Sequence, residues 1–98
     1  MFDPMQRPFP SAEFQDVLEA NRAFASAFET PKATAPAAKG LAIVTCMDAR
    51  IDPLAVVGMR VGDAKILRNP GARVTEDVLR ALVLATSLLG VNRILVMP

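Results

Sequence analysis

Residues 41–53 read Leu-Ala-Ile-Val-Thr-Cys-Met-Asp-Ala-Arg-Ile-Asp-Pro, and this stretch decides the fold. Its first part, Leu41–Thr45, is a short continuous apolar run rich in β-branched side chains. Such a run is typical of a strand that is buried on both faces of a parallel sheet. Asp52 followed by Pro53 is typical of a helix N-cap and first helical residue. We therefore expect a strand, a polar loop and a short helix over residues 53–57.

The sequence after this helix predicts two more strands with a longer helix between them. Ala64–Arg68 forms the second strand, and Asn69-Pro70-Gly71 ends it in a turn. Thr75 offers the cap of a helix whose apolar residues recur at helical spacing until Gly90. Because that helix is apolar on most sides, we expect a second neighbour besides the sheet, either the N-terminal helix or another subunit. With Ile94–Met97 as the third strand, the order predicts an α/β fold, a parallel sheet with flanking helices.

The N-terminal part is expected to precede this domain as a separate segment. Residues 1–10 contain three prolines and predict an irregular arm, and a helix is expected over residues 11–28 with Ser11 as its cap. The apolar stripe of this helix covers either the domain's own core or a partner subunit. A Pro- and Ala-rich linker, Thr30–Gly40, follows it. The predicted organisation is therefore an arm, helix and linker over residues 1–40 and a partial α/β domain over residues 41–98.

Composition restricts the function classes. The chain has 98 residues, 52% of them hydrophobic, with a mean hydropathy of +0.33, so some apolar surface is expected to meet another copy in a homo-oligomer. A net charge of +1 without Trp or Tyr argues against nucleic-acid binding. The longest apolar stretch, Val78–Val91, is too short to span a membrane. A single cysteine and no visible secretory signal predict a cytoplasmic location.

Three chemically active side chains follow the first strand within five residues: Cys46, Asp48 and Arg50. In open α/β sheets, ligands bind beyond the C-terminal ends of strands, where successive crossovers go to opposite sides. A thiolate at that position could bind a soft metal or act as a nucleophile. It could equally be a small buried apolar residue beside an ordinary loop ion pair. Residue types alone leave these alternatives open, since the sequence contains no histidine.

The arrangement of motifs resembles the β-class carbonic anhydrases. The motifs, in order, are Cys46–Arg50 followed by Asp52-Pro53, then Gly62–Ala64 leading to Arg68–Gly71, and then Thr75–Asp77 at a helix start. Pro70 stands where that family more often has alanine. The N-terminal helix resembles the family more weakly, and in the family it often packs against a neighbouring subunit.

The resemblance implies roles for the three side chains. Cys46 matches the first zinc-ligating cysteine. Asp48 and Arg50 match a dyad in which the arginine holds the carboxylate, and Asp48 either accepts a hydrogen bond from zinc-bound water or itself binds the zinc. The implied metal ligands are thus Cys46 and Asp48, and the implied catalytic residues are Asp48 and Arg50. The implied reaction is the reversible hydration of carbon dioxide to bicarbonate, with zinc lowering the pKa of its bound water to about 7.

The sequence departs from the family in one decisive way. The family's other two zinc ligands form a His-x-x-Cys motif just after the third strand, whereas this sequence has no histidine and reaches Pro98 there. The resemblance therefore implies an incomplete enzyme that is inactive alone. The alternative is a noncatalytic assembly or interaction protein that kept the fold without the metal. A third hypothesis is a thiol enzyme that uses Cys46 as its nucleophile.

Overall fold

The computed structural model describes residues 12–28 and 34–98, which fall in two compact units divided between Pro31 and Lys32. The predicted proline-containing arm, the Ser11 cap and the first part of the linker lie outside the described residues. In the first unit, a 3-10 turn over Ala12–Phe14 leads into helix α1, Gln15–Ala27. The rings of Phe24 and Phe28, one turn apart on the apolar stripe, lie 5.4 Å from each other. The predicted N-terminal helix is confirmed.

The second unit is a parallel α/β sheet, as predicted. Its elements are β1 (Leu41–Cys46), α2 (Pro53–Val56), β2 (Ala64–Asn69), α3 (Glu76–Leu88) and β3 (Arg93–Met97). The strand order is β2-β1-β3, and β1 pairs in parallel with both neighbours. The strand with the continuous apolar run therefore occupies the centre of the three-stranded sheet. Ile43, Val44 and Thr45 are fully buried there.

The two predicted N-cap residues behave differently at the helix starts. Asp52 caps α2, because its Oδ1 accepts a hydrogen bond from the N–H of Ala55 over 3.4 Å, and Pro53 takes the first helical position. Thr75 is the N-cap residue of α3, but its hydroxyl makes no side-chain cap bond to the helix backbone. The hydroxyl instead donates to the carboxylate of Asp77. A charged acceptor two residues away competes successfully for this hydroxyl.

The core lies between one face of the sheet and α3. Ala42 and Val44 of β1 pack in one buried cluster with Val78, Leu82 and Ala85 of α3. The opposite side of the same helix is exposed over four apolar side chains, those of Leu79, Val83, Leu84 and Leu88. Within residues 34–98, no second neighbour covers this side of the helix. None of the described helices is both long and apolar enough to cross a membrane.

Candidate functional site

The candidate site lies at the C-terminal edge of the sheet, around the end of β1. The chain goes from β1 to β2 on one side and then crosses to β3 on the other side of β1. Open α/β sheets form ligand sites at the strand tips where the connections change direction in this way. Cys46 ends β1 and lies opposite Asn69, the last residue of β2. Two loops therefore leave the same edge side by side: residues 47–52 after β1, and residues 70–75 after β2.

The Cys46 thiol lies between these two loops. The side chain is partly exposed, and its Sγ accepts a hydrogen bond from the N–H of Gly71 over 3.4 Å. The amide of Gly71, followed by that of Asp48, lowers the pKa of the Cys46 thiol, while desolvation and the Asp48 carboxylate oppose this change. Amide donors favour the thiolate because they stabilise its charge. The thiolate is the form that binds metals.

Asp48 and Arg50 form a bidentate ion pair within the loop after β1. Arg50 donates from Nε to Oδ1 of Asp48 over 3.1 Å and from Nη2 to Oδ2 over 2.7 Å. The backbone N–H of Arg50 also donates to Oδ1, over 2.9 Å. The guanidinium, and then this amide, hold the pKa of Asp48 below its ordinary value. The carboxylate is therefore ionised and fixed in orientation, and it stays 31% exposed.

The turn that carries the Gly71 amide is held by Asn69. The Asn69 side chain accepts from the N–H of Arg73 and donates to the Arg73 carbonyl, each over 2.7 Å. Inside this closed turn, Gly71 and Ala72 both have positive φ, +80° and +56°. The Gly71 amide is thus presented to Cys46 by a backbone shape that the Asn69 side chain stabilises.

Arg68, the residue before Asn69, contacts the other loop. Its guanidinium donates from Nε to the carbonyl of Cys46 over 2.9 Å and from Nη2 to the carbonyl of Asp48 over 2.8 Å. The sequence predicts a turn at Asn69 and includes Arg68 in a motif, but it indicates no contact of either side chain at this site. Their adjacent positions at the end of the predicted second strand were the only signal in the sequence. Side chains of adjacent strand residues point to opposite faces of the sheet, so they can reach two different loops.

A thiolate and a carboxylate at one strand tip suit zinc, which binds sulfur, nitrogen and oxygen donors. Two donors are fewer than the three or four protein ligands of a zinc site. Within residues 12–28 and 34–98, no group of three or more His, Cys, Asp or Glu side chains could hold a metal ion. Cys46 and Asp48 therefore fit zinc as part of a ligand set.

Fold and site together define an α/β protein with a candidate metal-binding tip on its central strand. A family model described as carbonic anhydrase matches residues 41–98. Beta-carbonic anhydrase 1 of Mycobacterium tuberculosis is 42% identical over 82 residues, covering 84% of this chain and 50% of that protein. The crystal structure of a carbonic anhydrase from Streptococcus mutans matches with a TM-score of 0.80 at 40% identity, over 88% of this chain and 52% of that chain. The chain belongs to the β-class carbonic anhydrase family.

Relatives with a different name also match. A carbon disulfide hydrolase of Saccharolobus solfataricus is 41% identical over 61 residues, covering 62% of this chain and 30% of that protein. The present chain spans half the length of the mycobacterial carbonic anhydrase. The resemblance that the sequence motifs indicated is confirmed at the level of family and fold.

Proposed function

We propose that this chain carries one part of the zinc site of a carbonic anhydrase, a lyase that reversibly hydrates carbon dioxide to bicarbonate. One observation carries the proposal: an amide-stabilised thiol, Cys46, and a bidentate carboxylate–guanidinium pair, Asp48 and Arg50, leave the tip of the same central strand. Family membership supports the same chemistry.

Each of the three side chains has a distinct proposed role. Cys46 binds zinc as a thiolate, and the Gly71 amide helps to keep it in that form. Zinc supplies the Lewis acidity that makes water nucleophilic near neutral pH. Asp48 accepts a hydrogen bond from the attacking water or binds the metal itself. Arg50 keeps Asp48 ionised and aimed, a task for which the planar fork of arginine is suited and lysine is not.

The remaining zinc ligands are proposed to come from polypeptide next to β3. The family pattern requires a His-x-x-Cys motif after the third strand, and these 98 residues contain no histidine and no second cysteine. The geometry supports that location, because Met97 at the end of β3 lies opposite Thr45 of β1. Neighbouring strands are about 4.8 Å apart, so ligands from adjacent tips can reach one metal ion.

Carbon disulfide is a second candidate substrate. It is a linear molecule of the same type as carbon dioxide, and a relative named for its hydrolysis is 41% identical to this chain. Carbon dioxide is favoured because the carbonic anhydrase match extends over 82 residues, against 61 for the hydrolase. Both reactions would use the same three side chains.

The test uses the complete gene product, including any polypeptide beyond Pro98. We expect about one zinc per chain by elemental analysis and rapid carbon dioxide hydration by stopped-flow measurement, with little release of hydrogen sulfide from carbon disulfide. Cys46→Ser should abolish zinc binding and hydration, whereas Ser87→Ala on the exposed side of α3 should change neither. A gene product with zinc that hydrolyses only carbon disulfide would reverse the substrate assignment.

We also propose a homo-oligomer in the cytoplasm. The exposed apolar side chains of α3, among them Leu88 at 72% exposure, support a further contact, and the free thiol of Cys46 fits a reducing compartment. The competing noncatalytic function predicts an intact oligomer without zinc. Sedimentation together with elemental analysis of the same sample separates the two functions.

A further inference from the structure

The guanidinium of Arg68 connects β2 to the loop that follows β1. Besides the carbonyls of Cys46 and Asp48, its Nη2 donates to the carbonyl of Ile51 over 3.3 Å. One side chain thus contacts the last carbonyl of β1 and two carbonyls of the loop that follows it. We infer that Arg68 is a positioning residue that fixes Cys46 and Asp48 relative to each other, an inference that rests on the proposed function for the roles of those two residues.

The other hydrogen bonds of this loop show why such a connection is needed. The N–H of Met47 donates to the Asn69 carbonyl over 3.0 Å and prolongs the pairing of β1 with β2 by one residue. Beyond Met47, the N–H groups of Arg50 and Ile51 bond to Asp48, at Oδ1 and at the carbonyl. These local bonds, together with the Asp48 amide that acts on the Cys46 thiol at the end of β1, give the loop its shape, but beyond Met47 none of them reaches β2. The Arg68 side chain provides the attachment to β2.

The chemistry of arginine suits this task. Nε and Nη2 lie on the same edge of a rigid planar group, so that edge fixes the separation of the Cys46 and Asp48 carbonyls. Lysine would offer a single ammonium on a flexible stem and could not span both acceptors in a defined geometry. The positive charge of Arg68 also acts on the neighbouring carboxylate, since it contributes, after the hydrogen bonds of Arg50, to lowering the pKa of Asp48.

Arg93 offers a matched control. Its Nη2 also donates to a backbone carbonyl, that of Lys39, over 3.0 Å. This bond lies at the start of β3, and the candidate site lies at the other, C-terminal ends of the strands. Arg93→Lys therefore removes the same type of arginine–carbonyl geometry without affecting the loop after β1.

The experiment compares Arg68→Lys with Arg93→Lys in the complete gene product by hydrogen exchange and steady-state kinetics. Arg68→Lys should speed amide exchange in a peptide covering residues 46–52 by about tenfold or more, as expected for the loss of hydrogen bonds to a charged donor. A peptide covering residues 76–88 should be unchanged. The kcat for carbon dioxide should fall about tenfold or more with KM little changed, as for other residues that orient metal ligands. Arg93→Lys should alter neither the exchange of residues 46–52 nor kcat.

Three outcomes would overturn the inference: wild-type exchange and kcat in Arg68→Lys, faster exchange throughout the domain, or faster exchange in the loop with unchanged kcat. An inactive wild-type protein would instead contradict the proposed function, while the exchange measurement would still test the connection. If Arg68→Lys does not fold, the wild-type protein provides the test by NMR. A slowly exchanging Arg68 Nε–H with a coupling across the hydrogen bond to the Cys46 carbonyl is expected, and a freely rotating guanidinium would rule the connection out.

Discussion

The backbone N–H of Gly71 donates a hydrogen bond to Sγ of Cys46 over 3.4 Å, although 25 residues separate the two along the chain. The contact exists because β1 and β2 are parallel and in a register that places Cys46 opposite Asn69. It joins the candidate metal ligand at the end of β1 to the turn after the neighbouring strand. The backbone shape of that turn therefore bears on the chemistry of the thiol.

Gly71→Ala should weaken both folding and zinc binding. Gly71 has a φ of +80°, and an L side chain in this region costs about 1–2 kcal/mol of unfolding free energy. An added Cβ would make only an ordinary contact with the Arg73 side chain, at 3.5 Å, so the strain is in the backbone. Relaxation of that strain would turn the amide away from Sγ. We expect about a tenfold loss of zinc affinity in competition titrations with a chelator.

Gly58→Ala is the matched control for this change. Gly58 has a φ of +68°, and a Cβ there would meet nothing within 4 Å. Denaturant unfolding should show a similar loss of stability in both variants, and zinc affinity should fall only in Gly71→Ala. An equal loss of zinc affinity in the two variants would show that the Gly71 amide has no specific effect on Cys46.

Arg50→Ala should separate metal binding from catalysis. The variant loses both guanidinium contacts with Asp48 and leaves the proposed zinc ligand Cys46 in place. We expect carbon dioxide hydration to fall about 10- to 100-fold with zinc content largely retained. Arg50→Lys should recover little, because lysine cannot reproduce the bidentate geometry. Arg80→Ala, on the exposed part of α3, is the control, and unchanged hydration in Arg50→Ala would refute the dyad.

Much of the fold could be predicted because its signals are local. Full burial of β1 is visible as an uninterrupted apolar run, and the start of α2 is visible as Asp52-Pro53. The exposed apolar side of α3 could not be foreseen in detail. Apolar composition shows that Leu84 and Leu88 favour burial, but it does not show which face meets the sheet.

Less of the candidate site could be predicted from the sequence. Cys46, Asp48 and Arg50 could be found because they are adjacent in the chain, but their proposed roles came from family resemblance. The contacts of Arg68 depend on the register of β2 against β1 and on the face that its side chain occupies, whereas the side chain of Asn69 bonds within its own turn. A strand pattern gives alternation but not register, so the contacts of Arg68 emerged only from the structure.

Thr75→Val should raise the pKa of Asp77. The Thr75 hydroxyl donates to Asp77 and is the main cause that lowers its pKa. A carboxyl whose pKa is lowered by folding stabilises the folded state at every pH above the carboxyl's pKa in the unfolded state, which is about 3.9. This stabilisation is lost as the pH falls through the lowered pKa of the folded state. The stability difference between wild type and Thr75→Val should therefore be larger at pH 7 than in strong acid.

An NMR titration of the Asp77 carboxyl measures this effect directly. Thr75→Ser keeps the hydroxyl and should keep the lowered pKa. A lowered Asp77 pKa that persists in Thr75→Val would assign the effect to the backbone amides at the start of α3 instead of the hydroxyl.

Thr45→Val should stabilise the protein. Thr45 is fully buried in β1, and its Oγ1 has no hydrogen-bond partner among the described residues. An unsatisfied buried hydroxyl costs about 1–3 kcal/mol, and valine has nearly the same shape without that group. We expect the free energy of unfolding in urea to rise by about 1 kcal/mol at an unchanged denaturant slope. Thr86→Val is the control, because the Thr86 hydroxyl donates to the Leu82 carbonyl over 2.9 Å and its removal should not stabilise. A loss of stability in Thr45→Val would show that this hydroxyl has a partner in solution, such as a buried water.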